Sequence, residues 1–149
     1  MRKSFYYIGM ILLSSTFVLG QGTAKKGATP DNPEAVKASP AYAELLLLKT
    51  ELGSEVESLL VEYTEEYPKI KESRYKLSLV QKDLDRILAV KSVDAGKLTQ
   101  ALGRLMARRI EVDTDLWELR IKYNDEHPDI KRAKRKLEIF DAAVKEILG

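Results

Sequence analysis

The chain repeats itself at a fixed distance. Shifted by sixty positions, residues 41–89 fall on residues 101–149 without a gap, and 13 of the 49 aligned positions are identical. The identities include Leu45/Leu105, Leu59/Leu119, Tyr63/Tyr123, Pro68/Pro128, Ile70/Ile130 and Ile87/Ile147, and most mismatches keep their character, as at Val56/Leu116 and Leu79/Ile139. A constant period of this length marks a duplicated supersecondary unit. What recurs is a packing pattern, with no candidate catalytic group in both copies. Any fold proposed for this chain must therefore hold two like units.

Each unit carries apolar residues at helical spacing. In the first, Leu45, Leu52 and Leu59 recur every seven residues, with Tyr42, Val56 and Tyr63 on the interleaved row and Lys49 interrupting it. The second repeats this with Leu105, Val112 and Leu119 beside Leu102, Leu116 and Tyr123, interrupted by Arg109. The matched basic interruptions suggest long side chains snorkelling at the core edge. Further on, Ile70, Leu77, Val80, Leu84 and Ile87 are echoed by Ile130, Leu137, Phe140, Val144 and Ile147. Three- and four-residue spacing held over three heptads predicts amphipathic helices packed at shallow angles. Proline in an acidic turn, at 65–68 and again at 125–128, splits each unit, since proline disfavours helix before it and suits the first helical position after it. The fold class is all-α: two tandem helical hairpins, residues 41–91 and 92–149, forming a coiled-coil-like helical bundle. The competing reading is a long helix kinked at each proline. The first helices should run to about 25 and about 30 residues, near 40 Å long. Ser39 with Pro40, and later Asp94, are the expected helix starts.

Residues 1–20 place the chain outside the cytoplasm. Arg2 and Lys3 precede an apolar stretch from Phe5 to Leu19, and small residues follow at Gly20, Gly22 and Ala24. That order is a secretory signal peptide, with cleavage expected after Gly20 or after Ala24, and retention as an N-terminal anchor is the alternative. The stretch is shorter than the roughly 20 residues needed to span a bilayer. The chain has no cysteine, which removes both a disulfide framework and a bacterial lipidation site. Periplasm or cell envelope is the expected location. Residues 21–40, rich in Gly, Ala, Lys and Pro, read as a flexible tether. Loss of the signal leaves 23 basic and 23 acidic side chains, so no global basic field exists to attract nucleic acid.

The chemistry-bearing residues are few. His127 is the lone histidine, among Asp125, Glu126 and Asp129; one imidazole without cysteine is a poor transition-metal set, and its counterpart is Tyr67. Tyr63, Tyr67, Pro68, Tyr123, His127 and Pro128 are read as structural turn residues. No phosphate loop, nucleophile elbow or paired-histidine helix motif occurs. The sequence thus predicts no catalytic residue, no metal site, no cofactor and no enzyme activity. Lys131, Arg132, Lys134, Arg135 and Lys136 form a basic run. It reads as a solvated helix face, or as a patch for an anionic polysaccharide or lipid headgroup. Trp117, beside Leu116, reads as packing.

The pattern L-x3-Y-x3-[YH]-P-x-I is Leu59, Tyr63, Tyr67, Pro68 and Ile70 in one unit, and Leu119, Tyr123, His127, Pro128 and Ile130 in the other. It resembles the turn and leucine-spaced helix of the periplasmic coiled coils in bacterial chain-length determinant proteins, the polysaccharide co-polymerases. The resemblance covers about residues 56–90 and 116–148 and implies a periplasmic helical hairpin that assembles and serves surface polysaccharide. This chain shows no second membrane segment and no kinase with nucleotide-binding loops, so polymerase control does not carry over. The expected function is a structural or adaptor protein of the envelope that self-associates or docks on an envelope partner; the alternative is a small periplasmic chaperone or stress-binding protein.

Overall fold

The computed structural model describes residues 33–149, and the expected signal peptide and the first part of the tether lie outside the described residues. Five α-helices carry the fold: α1 (Pro33–Lys37), α2 (Pro40–Leu60), α3 (Pro68–Leu88), α4 (Gln100–Lys122) and α5 (Pro128–Leu148), with a 3₁₀ turn at Ser92–Lys97 before α4. No strand occurs among the described residues. The protein is all-α.

Local chemistry fixes the helix ends. Ser39 Oγ accepts the Tyr42 N–H at 3.3 Å with Pro40 at the first helical position, and sixty residues later Thr99 Oγ1 accepts the Leu102 N–H, also at 3.3 Å. A side-chain oxygen at this place satisfies one of the orphan N–H groups of the first turn. The prolines break the chain rather than kink it: α3 and α5 both begin on proline, at Pro68 and Pro128, and both run to a leucine, Leu88 and Leu148.

Three expectations need correction. The ordered domain starts before residue 41, because α1 lies in the segment read as tether and its Val36 is 2% exposed within the core. A single valine between two prolines is too short a signal for periodicity to register, yet it plugs the end of the bundle. Asp94 does not cap α4; it pairs with Lys97 at 3.5 Å inside the 3₁₀ turn, and the helix starts six residues later. The longer helices have 21 and 23 residues, since the chain leaves helix at Val61 and Tyr123 rather than running on to the proline.

Side-chain pairs set the directions. Lys49 Nζ donates to Gln81 Oε1 at 2.6 Å and Ser73 Oγ donates to Glu55, so α2 and α3 run antiparallel; Arg109 and Asp141, sixty residues beyond the first pair, join α4 to α5 in the same register. At the opposite end the Ala41 N–H donates to the Leu98 carbonyl, and Gly103 lies against Ala41 and Glu44. Thus α2 and α4 run parallel, and the two proline turns share one end of the molecule. The core is a row of Leu45, Val80, Leu84, Ile87, Leu102, Met106 and Ile110, at most 3% exposed. Helix α4 sits in the middle, against α2, α3 and α5, while the substantial packing of α5 among the described residues is against α4 alone.

Candidate functional site

The shared turn end holds most residues that the sequence singled out. In the first turn Tyr63 and Tyr67 stack with ring centres 4.2 Å apart, and in the second Tyr123 and His127 stack at 4.1 Å. The backbones match too: the Tyr67 N–H donates to the Thr64 carbonyl, and the His127 N–H to the Asn124 carbonyl, both at 3.0 Å. Residues four apart around a turn face one another, and stacked rings are worth about 0.5–1.5 kcal/mol beyond their burial. His127 Nδ1 additionally accepts the Asp129 N–H at 3.2 Å, which commits that nitrogen to capping α5. The six turn residues are thus brought together in two like sets.

The rings are nevertheless left at the surface. Tyr63 is 43% and Tyr123 44% exposed, and each has a branched aliphatic neighbour further out, Val61 at 84% and Ile121 at 65%. A cleft of about 630 Å³ opens between the start of α3 and the end of α4, with Tyr67, Pro68, Trp117 and Ile121 as its apolar surfaces. Lysines and glutamates alternate around its rim. Burial pulls the Lys69 ammonium down, but the hydrogen bond and charge of Glu72, with Glu55 and Glu118, outweigh it and hold the group above its ordinary value. Burial likewise raises Glu72, but hydrogen bonds from Lys76 and Lys69 outweigh it and hold the carboxyl below the usual range. Both groups keep their charges, so the rim is a zwitterionic collar around an apolar floor. Trp117 packs as expected, stacked on Tyr75 with centres 5.1 Å apart, and also shows an edge to the cleft.

The basic run, Lys131, Arg132, Lys134, Arg135 and Lys136, lies on α5, and four of its five members are already partnered. Lys131 pairs with Glu126 at 2.6 Å, Lys134 with Asp125 at 3.1 Å, Arg135 with Glu138 at 3.1 Å, and Arg132 with Asp129. These are exposed pairs of small individual worth. An anionic partner would exchange one carboxylate for another there.

One charged constellation escaped sequence reasoning. Arg109, read as a snorkelling residue at the core edge, is instead drawn inward, and its side chain meets Asp83, Asp113 and Asp141. Burial disfavours its charge, but the three carboxylates, Asp141 foremost, outweigh that and hold the guanidinium above its ordinary value. Asp83 is 1% exposed and its Oδ2 accepts no hydrogen bond, with Arg109 Nη1 3.8 Å away. Burial pushes its carboxyl up despite Arg109 and Arg86. The signal that could have found it is Arg109 itself, whose counterpart Lys49 has Gly53 and Gln81 where Arg109 has Asp113 and Asp141. The cluster joins α3, α4 and α5 away from the cleft, with Asp83 buried and Asp141 half exposed. Among the described residues no group of three or more His, Cys, Asp or Glu side chains could hold a metal ion, and no helix is long and apolar enough to cross a membrane. No protein-family model, curated protein or solved structure matches the chain.

Proposed function

We propose that this protein is an exported, non-catalytic helical adaptor of the bacterial cell envelope, with surface-polysaccharide assembly as the machinery it serves. The observation that carries the adaptor reading is the twin display at the turn end, where Val61 and Tyr63 are matched by Ile121 and Tyr123, all exposed. A bundle needs its turns closed, and the stacked rings with proline at the first helical position do that. It does not need an exposed aliphatic residue at the same place in both units. Exposed aromatic and aliphatic groups beside a cleft with a charged rim are the composition of a protein-docking surface. Export rests on residues 1–20, and the polysaccharide setting on the resemblance of the tyrosine–proline turns.

A photo-crosslinking residue at position 61 or 121 of the full chain, in living cells, tests the reading. An adaptor gives a discrete adduct with an envelope component, lost when Tyr63 and Tyr123 are both changed to Ala. A chaperone gives a smear of many client masses instead, and suppresses aggregation of unfolded proteins in solution. Deletion of the gene should alter the length distribution of surface polysaccharide if that setting is right, and leave it unchanged if it is not.

A further inference from the structure

The two units do not bury the same faces, and the difference forms a pattern. On α3 the row Tyr75, Leu79, Asp83 and Ile87 turns toward the second unit: Tyr75 Oη donates to Asp113 and stacks on Trp117, Asp83 pairs with Arg109, and Leu79 and Ile87 are 5% and 0% exposed in the core shared with Met106 and Ile110. The matching row on α5 is Arg135, Ile139, Ala143 and Ile147, where Ile139 is 62% and Ile147 36% exposed. Ile139 and Ile147 keep the apolar character while the cover is missing, and Arg135 replaces the tyrosine.

The receiving face shows the converse. On α4 Met106 and Ile110, 0% and 1% exposed, are buried in the core shared with the first unit, beside Arg109 and Asp113, which meet α3. Sixty residues earlier, on α2, stand Leu46 and Thr50, both exposed, with Leu46 at 43% and the adjoining Leu47 at 57%. In an array of like units the outermost faces are polar caps where the array is meant to stop. Here one end shows Ile139 and Ile147 and the other Leu46 and Leu47, exposed apolar groups at both ends.

We propose that these faces dock a second copy of this chain head to tail, α5 of one copy lying on the exposed row of α2 in the next. The interface would continue the one the molecule already builds between α3 and α4. The charges agree with this register. The place of the stacked pair Tyr75–Trp117 is taken by Arg135 of one copy and Glu57 of the next, an opposite-charge pair on exposed helix surfaces, for which Arg135 exchanges its exposed partner Glu138. A contact of this kind uses two different patches, so the dimer still has one of each free and assembly continues beyond it. The proposal names the partner of the adaptor reading and rests on it only for the cellular setting.

The test uses the full chain with the N-terminus the cell leaves on it, followed by sedimentation velocity across a concentration series. The expected mass rises with concentration past a dimer. Leu46→Glu and Ile139→Glu, both at exposed positions, should each weaken association about tenfold or more. Mixed together, each supplies the face the other lacks, and the expected product is a one-to-one dimer that grows no further. Arg135→Glu should weaken association and the added change Glu57→Arg should restore it, which a mere folding defect would not do. A constant monomer mass overturns the proposal. So does a Leu46→Glu variant that associates like the parent while Ile139→Glu does not, the mark of a symmetric α5 contact. Fractionation separates the two readings: a monomer found in the envelope defeats the assembly alone, and an assembling chain found in the cytosol defeats export alone.

Discussion

A carboxylate that shares one guanidinium with two others, and buries an oxygen without a donor, opposes the fold once it is ionised. Asp83 is so placed, and its folded pKa is raised. For a raised acid the stabilising contribution is complete below the unfolded value, about 3.9, and is lost as pH rises through the folded value. Asp83→Asn fixes the uncharged shape at every pH and leaves Arg109 with Asp113 and Asp141. The variant should match or exceed the parent at neutral pH, by on the order of 1 kcal/mol, and the gap should close as pH falls toward the unfolded value. Urea unfolding at a series of pH values measures it. A variant markedly weaker at neutral pH would mean that the Asp83–Arg109 attraction outweighs burial. His127 gives a gentler case. Tyrosine there would keep the stack, as Tyr67 does on Tyr63, and lose the Nδ1 cap on Asp129. His127→Tyr should cost less than about 1 kcal/mol with helicity unchanged, and a larger loss in thermal unfolding would assign the imidazole a role beyond the turn.

Two glycines at the scale of the helix pair behave oppositely. A Cβ on Gly103 would meet Glu44 Cβ at 2.9 Å and Ala41 Cα at 3.0 Å, and neither atom is the free end of a side chain. The approach of α2 to α4 depends on that missing carbon. Gly103→Ala should force the helices apart at a cost of roughly 1–3 kcal/mol, part of which the better helix propensity of alanine offsets. Gly53, on α2, has nothing within 4 Å of the same position, so Gly53→Ala should stabilise by up to about 1 kcal/mol. Chemical denaturation of the pair decides; stabilisation by both would remove the close approach as a constraint. The proline turns and the Ser39 cap were legible because each rests on two or three adjacent residues. Thr99 was not, since Asp94 is as good a cap by residue type and only the 3₁₀ turn disqualifies it. Leu59 and Leu119 sit on the apolar row but are half-buried, because the row runs out to the turn end where the helices stop covering one another.

For the molecule as a whole, helical class follows from the period of the apolar rows, but which rows are buried depends on how one unit sits on the other. Nothing in the residue types separates Leu79 from Ile139, one 5% and the other 62% exposed; only the neighbour differs. This asymmetry has a dynamic consequence. Helices α2, α3 and α4 each pack on at least two others, whereas α5 leans chiefly on α4 and buries only Ile130 and Val144. Local opening is easiest where buried apolar contacts are fewest. Hydrogen exchange of the dilute chain should therefore show α5 opening first, with the amides of its second half, around Ile139 to Ile147, ahead of those of α4. Arg109–Asp141 ties the middle of α5 to α4, so Asp141→Asn should hasten that exchange and leave α2 and α3 unchanged. If α5 docks on the next copy's α2, raising the protein concentration covers the same residues, and their exchange should slow in step with the rise in mass while α3 is unaffected. Uniform exchange over all four long helices would show a single cooperative unit in which α5 is as firmly held as the rest. Slowing of α3 together with α5 would place the contact between copies on a different face.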